Sequence, residues 1–233
     1  MKYNRVLIKI SGEALGDNNE NIAYKNILFF ANEIKKVVDK KIKVGIVIGG
    51  GNIYRGNFVE KTNIQQIDGD YMGMLATMIN SIAFKKVLEN IGIKVKVLSS
   101  IEINKLFELC NHDKMQEYLD QNYVIILAGG TGNPCFTTDT TAALRAIEMK
   151  ADVLLKATKV DGIYDSDPMK NKNAIKYNQI TYQEAIEKNL KVMDLTAFAM
   201  CMENKVPIIV CNIFQENSIL KILEGESLGT IVV

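Results

Sequence analysis

The chain alternates between two hydrophobic patterns, one typical of buried strands and one typical of amphipathic helices. Short apolar or alternating runs predict strands at 6–8, 44–48, 93–98, 124–127, 152–155, 207–210 and 230–233. Apolar residues spaced three and four apart predict helices at 25–40, 72–90 and 140–150, and a polar helical region at 105–120. Thr181 and Glu184 form a capping box that starts a helix at Tyr182, and Asp194 can cap another helix that runs through Glu203.

This alternation of strands and helices favours an α/β fold, a three-layer αβα sandwich with a mainly parallel central sheet. A chain of 233 residues can bury a substantial core of its own. We therefore expect a single domain over residues 1–233, with approximate lobes at 1–150 and 151–233.

Three of the predicted strands end in glycine-rich turns, which are the most informative feature of the sequence. The turns are Lys9-Ile10-Ser11-Gly12, Gly49-Gly50-Gly51-Asn52 and Gly129-Gly130-Thr131-Gly132-Asn133. Glycine lets backbone N–H groups approach an anion closely, and helix N-termini that follow such turns favour phosphate. With Lys9 and Arg55 nearby, three such turns predict a site for more than one phosphorylated ligand.

Composition narrows the class of function. The chain has 28 basic and 27 acidic residues and a formal net charge of +1, so neither nucleic acid nor a membrane surface is expected as its main partner. No apolar stretch is long enough to span a bilayer, and no secretory leader is expected. The four cysteines form no CxxC pair, which favours reduced thiols and a cytoplasmic location. His112 is the only histidine, so a multi-histidine metal site is excluded.

Charged side chains stand beside the predicted turns. Lys9 directly follows an apolar run, and a lysine at the carboxyl end of a central strand faces the ligand crevice of an open sheet. Asp70 precedes the helix predicted from Met72, where it can cap that helix or accept hydrogen bonds from ribose hydroxyls. Lys156 and Lys159 place further positive charge after the strand at 152–155.

The common phosphate motifs GxxxxGK[ST] and GxGxxG are absent. Seven segments spread over nearly the whole chain instead resemble the bacterial uridylate (UMP) kinases of the amino acid kinase superfamily. They are KISGEAL at 9–15, IGGGN at 48–52, MGMLAT at 72–77, GTGNP at 130–134, FTTD at 136–139, KATKVDG at 156–162 and LKVMD at 190–194. The MGMLAT and FTTD segments are specific to these enzymes within the superfamily.

The resemblance implies an amino acid kinase-like fold and transfer of the γ-phosphate of ATP to UMP, with Mg²⁺, giving ADP and UDP. It also implies a cytoplasmic homohexamer in pyrimidine nucleotide synthesis, feedback inhibition by UTP and, in many members, activation by GTP. Here Glu89 replaces a frequent histidine on the helix that lines the GTP site, beside Lys85 and Lys86. Its negative charge predicts that GTP activates weakly or not at all.

The resemblance also assigns roles to residues of this sequence. Lys9 is expected on the transferring group, Arg55 on the phosphate side, and Asp139 and Asp194 are expected to organise the catalytic lysines Lys9 and Lys156. ATP is expected on the side of residues 151–233 and at the first turns, bound by Lys9, Ile10, Ser11, Gly12, Gly51, Arg55, Thr158, Tyr164 and Asp167. UMP is expected on the side of residues 1–150, bound by Gly50, Asp70, Thr131, Gly132, Asn133, Pro134, Cys135, Phe136, Thr137 and Thr138.

The chemistry of these residues suits phosphoryl transfer, which depends on charge neutralisation and in-line positioning. A general base is unnecessary because the UMP phosphate is already ionised. The sequence has no evident carboxylate cluster for Mg²⁺, so we expect phosphate oxygens and water to hold most of the metal's coordination, with no protein metal ligand. Two alternatives stay open: a related kinase that phosphorylates a carboxylate or carbamate, and a non-catalytic nucleotide-binding protein of the same fold.

Overall fold

A computed structural model describes residues 1–55, 63–166, 168, 170–190 and 192–233. Within these residues, one nine-stranded sheet lies between two layers of helices. The strands are β1 (Arg5–Ile10), β2 (Lys43–Ile48), β3 (Val95–Ser99), β4 (Glu108–Leu109), β5 (Val124–Ala128), β6 (Val153–Thr158), β7 (Gln179–Ile180), β8 (Ile208–Asn212) and β9 (Thr230–Val232). The helices are α1 (Tyr24–Asp39), α2 (Gln66–Asn90), α3 (His112–Asp120), α4 (Thr138–Glu148), α5 (Tyr182–Glu187), α6 (Leu195–Glu203) and α7 (Ser218–Glu224).

The sheet confirms the expected αβα sandwich with a mainly parallel sheet. Its strand order is β4-β3-β5-β2-β1-β6-β8-β9-β7, and the β8–β9 pair is antiparallel while the other neighbours run parallel. β1 lies between β2 and β6, so the sheet continues across residue 150. The carboxyl ends of β1, β2, β5 and β6 therefore meet at one edge, which is where ligands bind in open α/β sheets.

The strands read as continuous apolar runs because both of their faces are covered. Val6, Ile8 and Ile10 pack into a core with residues of α1, α2 and α7. Leu7 and Leu154 point the other way, into a second core with residues of α3, α4, α5 and α6. This alternation decides which helix layer a polar side chain on a central strand will meet.

Helix α2 begins six residues before the predicted start, so the interpretation of Asp70 as a cap is wrong. The N-cap is Gln65, and Asp70 lies inside the helix. Gly69 and two aspartates weaken the helical signal of this first turn. Tertiary contacts override that weakness: Gly69 is buried, and the Asp70 carboxylate accepts a hydrogen bond from the Cys135 N–H at 2.7 Å.

Other differences also arise from pairing and capping. The segment 105–120 is helical only from His112, because the Asn111 side chain caps α3 and residues 108–109 pair with β3. β6 extends to Thr158, so Lys156 lies within the strand and not after it. Strand β7 and helix α7 were not predicted, whereas the capping box at Thr181 and the Asp194 cap are confirmed. Among the described helices, none combines the length and apolar character needed to cross a membrane.

Candidate active site

Two lysines and one carboxylate form the centre of the candidate site. Lys9 and Lys156 are register partners on the neighbouring parallel strands β1 and β6, so their side chains leave the same face of the sheet. That face meets the N-terminal turn of α4, where Asp139 lies. Lys9 Nζ is 2.9 Å from Asp139 Oδ1, and Lys156 Nζ is 2.6 Å from Asp139 Oδ2.

The centre is largely shielded from water. The side chain of Lys9 is 12% exposed, that of Asp139 is 15% exposed and that of Lys156 is 16% exposed. Burial by itself would raise the pKa of Asp139, but the charges of Lys9 and Lys156 outweigh it and hold that pKa below its ordinary value. Burial lowers the pKa of Lys156, and the charge of Asp139 offsets part of this effect. The carboxylate therefore keeps both ammonium groups directed to one point.

Asp194 bonds residues at the starts of α4 and α6. It is the N-cap of α6, where its Oδ1 accepts from the Ala197 N–H at 2.9 Å. Its carboxylate also accepts from the hydroxyls of Thr137 and Thr140, the latter at 3.0 Å. Thr137 is itself the N-cap of α4. Among the described contacts, Asp194 thus joins the starts of α6 and of α4, the helix that carries Asp139, and any effect on the position of the lysines would pass through that helix.

The first two glycine turns lie directly against each other. A Cβ added at Gly12 would lie 2.6 Å from the Gly49 carbonyl oxygen and 2.6 Å from the Gly51 nitrogen. This approach is closer than real Cβ contacts, so only glycine fits at position 12. Ser11 precedes Gly12 at the start of a short 3-10 turn. The side chain of Ile10 is fully buried and its carbonyl accepts from the Gly49 N–H, so Ile10 contributes to the core.

The second and third glycine turns border a cleft of about 340 Å³. Its walls include many of the residues expected to bind UMP: Gly50, Asp70, Phe136, Thr137 and Thr138, together with Gly51. Thr131, Gly132, Asn133, Pro134 and Cys135 form the turn between this cleft and α4. Gly129, Gly130 and Gly132 all have positive φ angles, which permits the sharp reversal of the third turn.

Asp70 connects α2 to this turn across the cleft. One carboxylate oxygen accepts from Gln66 Nε2 at 2.7 Å and the other from the Cys135 N–H at 2.7 Å. Cys135 is exposed and has a φ of 70°, in the left-handed region of backbone conformation. Asp70 therefore lies where a ribose could reach it, and it also fixes the segment that follows the third glycine turn.

Arg55 lies above the second glycine turn on the surface. Its Nε donates to the Gly51 carbonyl at 3.2 Å, and Nη2 is 3.1 Å from Glu13 Oε1. Both side chains are at least half exposed. An exposed pair of this kind is weak, so the guanidinium is free to exchange Glu13 for a phosphate.

A second cleft of about 590 Å³ has Lys156 in its wall. Thr158 and Tyr164 line it, as the sequence predicts for the ATP nucleoside, and Leu190 and Val192 form part of its wall. The Tyr164 hydroxyl donates to Asp161 at 2.6 Å, and this bond raises the pKa of Tyr164. Asp167, also expected beside ATP, lies outside the described residues. Both clefts fall within the range of sizes typical of small-ligand sites.

Some contacts around the centre were not foreseen from the sequence. The Val192 carbonyl accepts from Lys156 Nζ at 2.6 Å, which orients the lysine from the side of the second cleft. Buried Arg145 donates to the Ser100 hydroxyl at 2.6 Å, and that hydroxyl donates to the Gly130 carbonyl at 2.7 Å. A backbone acceptor leaves no signal in the sequence. Arg145 does leave one, since a cation on the apolar face of α4 requires partners.

The carboxylates at the centre already have partners. Both oxygens of Asp139 face lysines, and both oxygens of Asp194 accept from hydroxyls. Across the part of the chain that the structure describes, no group of three or more histidine, cysteine, aspartate or glutamate side chains is arranged to hold a metal ion.

Comparisons with known proteins agree with this arrangement. A uridylate kinase of Campylobacter jejuni is 49% identical over 225 residues, which cover 96% of this chain and 94% of the relative. The crystal structure of UMP kinase from Ureaplasma parvum is 40% identical with a TM-score of 0.95, covering 100% of this chain and 99% of that one. The UMP kinase structure from Bacillus anthracis is 39% identical with a TM-score of 0.97, covering 100% and 96%.

The family match extends over most of the sequence. The profile described as the amino acid kinase family matches residues 4–212, which include every strand from β1 to β8. The sequence match, the shared fold and the lysine pair at the sheet edge agree with one another, and the chain belongs to the amino acid kinase family.

Proposed function

We propose that this chain is a UMP kinase, which transfers the γ-phosphate of ATP to the phosphate of UMP. The observation that carries the proposal is the Lys9–Asp139–Lys156 centre with two clefts near it, one lined by Thr138, which precedes Asp139, and the other lined by Lys156. The choice of UMP as substrate is supported by the similarity to the uridylate kinase of Campylobacter jejuni and to the two UMP kinase structures.

In the proposed mechanism, UMP is the phosphate acceptor and lies in the cleft beside Asp70, which we call the acceptor cleft. ATP lies in the cleft beside Tyr164. The two nucleotides present their phosphates to each other where the glycine turns meet. Lys9 and Lys156 stabilise the charge that spreads over the oxygens of the transferring group, and Asp139 keeps both ammonium groups in place. The attacking UMP oxygen is already ionised, so no side chain has to remove a proton.

The two nucleotides are assigned to different parts of the chain. Residues 1–150 supply the glycine turns and the acceptor cleft, and residues 151–233 supply most of the cleft for the ATP nucleoside. Lys9, Ser11, Gly12, Gly51 and Arg55 lie between the two and are proposed to bind ATP phosphates. Gly50, Asp70 and residues 131–138 are proposed to bind UMP.

Mg²⁺ is proposed to enter with ATP. Asp139 and Asp194 have their oxygens occupied by lysines and hydroxyls, so this donor set fits a metal held by phosphate oxygens and water and not by a protein cage. When bound, the ion would neutralise phosphate charge beside the two lysines.

The choice of acceptor tests the proposal. Purified protein is given ATP and Mg²⁺ with UMP, CMP, acetylglutamate or carbamate, and ADP release is followed by a coupled assay. We expect kcat/KM for UMP to exceed that for acetylglutamate and that for carbamate by several orders of magnitude. Turnover of acetylglutamate or carbamate in preference to UMP would favour the related carboxylate kinases, and binding without turnover would indicate a nucleotide-binding protein.

We further propose that the chain forms a homohexamer and works in the cytoplasm, where its nucleotides occur. One face of α2 supports self-association because it leaves a row of large apolar side chains exposed. They are Ile67, Tyr71, Met72, Leu75, Ile79 and Ile82. All four cysteines are unpaired in the structure, as suits a reducing compartment.

For regulation, UTP is proposed to inhibit by occupying the acceptor cleft. GTP is proposed to activate weakly or not at all. Glu89 Oε1 is 3.6 Å from Lys85 Nζ, and its other oxygen is 3.9 Å from Lys86 Nζ. Glu89 thus offsets one of the two positive charges that could attract a triphosphate on this helix.

A further inference from the structure

Two buried polar side chains lie one turn apart on α2 and contact the two glycine turns of the acceptor cleft. Thr77 is 6% exposed and Asn80 is 0% exposed. Apart from Ser81, their larger neighbours on the buried side of the helix, such as Met74 and Phe84, are apolar. Polar groups are stable in such surroundings only when they are hydrogen-bonded, so their partners show what they hold.

Asn80 is bonded entirely to the second glycine turn. Its Nδ2 donates to the Gly49 carbonyl at 2.8 Å and to Asn52 Oδ1 at 2.7 Å. Its Oδ1 accepts from Asn52 Nδ2 at 2.9 Å, so the two amides bind each other reciprocally. The turn from Gly49 to Asn52 is therefore fixed to the middle of α2 at both of its ends.

Thr77 holds the first residue of the third glycine turn. Its hydroxyl donates to the Met74 carbonyl at 2.7 Å and accepts from the Gly129 N–H at 3.0 Å. The single hydroxyl proton is thus used within the helix. Although Thr77 borders the acceptor cleft, it acts on a ligand through Gly129.

The packing of the two turns on α2 leaves no space between them and the helix. A Cβ added at Gly50 would lie 2.8 Å from the Ala76 Cβ, and one added at Gly130 would lie 3.0 Å from Met74 Cγ. Residues 74–80 of α2 therefore form a rigid support on which both turns rest. A shift of either turn would break a buried hydrogen bond.

We propose that Thr77 and Asn80 are positioning residues that set the separation between the second and third glycine turns. This inference rests on the proposed function, since that separation would fix the UMP phosphate relative to the transferring group. A misplacement of about 1 Å between reacting groups can cost about 10²-fold in rate, so a shifted turn would impair the productive binding of UMP.

The test compares Thr77→Val, Thr77→Ser and Ser81→Ala. Valine keeps the shape of threonine but cannot accept from the Gly129 N–H, whereas serine keeps the hydroxyl. Ser81 is the matched control, because its buried hydroxyl donates, among the described residues, only to the Thr77 carbonyl of its own helix. We expect Thr77→Val to raise the KM for UMP by about tenfold, which corresponds to about 1.4 kcal/mol, with the KM for ATP nearly unchanged.

The conservative and control variants are expected to behave differently from Thr77→Val. Thr77→Ser and Ser81→Ala should keep the KM for UMP within about twofold of the unaltered protein, a change well below one lost buried hydrogen bond. Equal KM values for UMP in Thr77→Val and Ser81→Ala would overturn the inference. Should Thr77→Val fail to fold, Asn80→Ala carries the test from the other turn, and an unchanged KM for UMP in that variant would overturn the inference.

Failure of the proposed function would be recognised separately. Turnover of UMP by the unaltered protein is measured first and decides the function alone. Hydrogen exchange of the Gly129 amide, followed by NMR, then tests the positioning role without any substrate. We expect faster exchange in Thr77→Val and not in Ser81→Ala, and equal exchange in the two variants would contradict the inference.

Discussion

Replacing Asp139 by asparagine removes the single negative charge between Lys9 and Lys156 while keeping the size of the side chain. The two ammonium groups lie 2.9 and 2.6 Å from its oxygens, and all three side chains are less than one fifth exposed. The variant therefore leaves two buried cations beside a neutral amide. We expect lower stability, slower turnover and an altered pH profile.

The magnitude follows from the burial of the pair. Breaking a buried ion pair by removing one partner costs about 3–5 kcal/mol, which lowers the Tm by roughly 6–20 °C in a protein of this size. The difference in stability should be present above pH 3.8, the ordinary pKa of the aspartate, and should disappear as the pH falls through the lowered pKa of the folded protein. Below that pH the Asp139 carboxyl is protonated, so the side chain at position 139 is neutral in both proteins.

The pH dependence of turnover gives the more specific test. Burial lowers the pKa of Lys156 and Asp139 counters it, so the pKa of Lys156 should fall further in Asp139→Asn. The alkaline limb of kcat, where Lys156 loses its proton, should then move to lower pH. Initial rates at saturating ATP and UMP between pH 6 and pH 10 would measure the shift.

Asp194→Asn is the matched control because it also removes a partly buried carboxylate at the start of a helix. Asp194 has the smallest influence on the pKa of Lys156 among the causes identified, so its alkaline limb should move less than that of Asp139→Asn. An alkaline limb at the same pH in Asp139→Asn as in the unaltered protein would refute the argument that Asp139 keeps Lys156 charged.

Three further outcomes are expected. Lys9→Ala should fold and lose about 10²–10³ in kcat, the usual effect of one charged transition-state contact, and near-normal turnover would remove Lys9 from the mechanism. Asp70→Asn should raise the KM for UMP more than that for ATP, because an amide accepts more weakly than a carboxylate; equal effects would leave Asp70 a purely structural role. GTP at millimolar concentration should change the rate little at subsaturating ATP, and several-fold stimulation would contradict this, with Glu89→His as the control for the helix.

The sequence predicts the sheet edge of the site well because its signals are local. An apolar run followed by glycine marks a buried strand and the turn after it within a few residues. The turns at Gly49 and Gly129 and the lysine at the end of β1 are placed on this basis. The caps at Thr181 and Asp194 are local in the same way, since each side chain bonds the backbone three residues on.

Contacts between distant segments are less accessible to sequence reasoning. That Lys9 and Lys156 are neighbours depends on the register of β1 and β6, which are far apart in the chain. The early start of α2 depends on the bond between Asp70 and Cys135, 65 residues away. Asp194 bonds Thr137 and Thr140 because α4 and α6 pack together, which a cap signal alone does not reveal.

Thr77 and Asn80 leave a signal in the sequence that does not identify their partners. Both interrupt the apolar face of a long helix, and buried polar positions of this kind require partners. The pattern indicates that something is held there. Only the folded chain shows that the partners are the two glycine turns.

A crystal structure with UMP and a non-hydrolysable ATP analogue would test the account most directly. We expect UMP in the cleft lined by Asp70 and Phe136, the analogue beside Tyr164, and Lys9 in contact with the γ-phosphate between them. UMP bound beside Tyr164, or phosphates that lie away from both Lys9 and Lys156, would contradict the central claim that transfer takes place at the lysine pair held by Asp139.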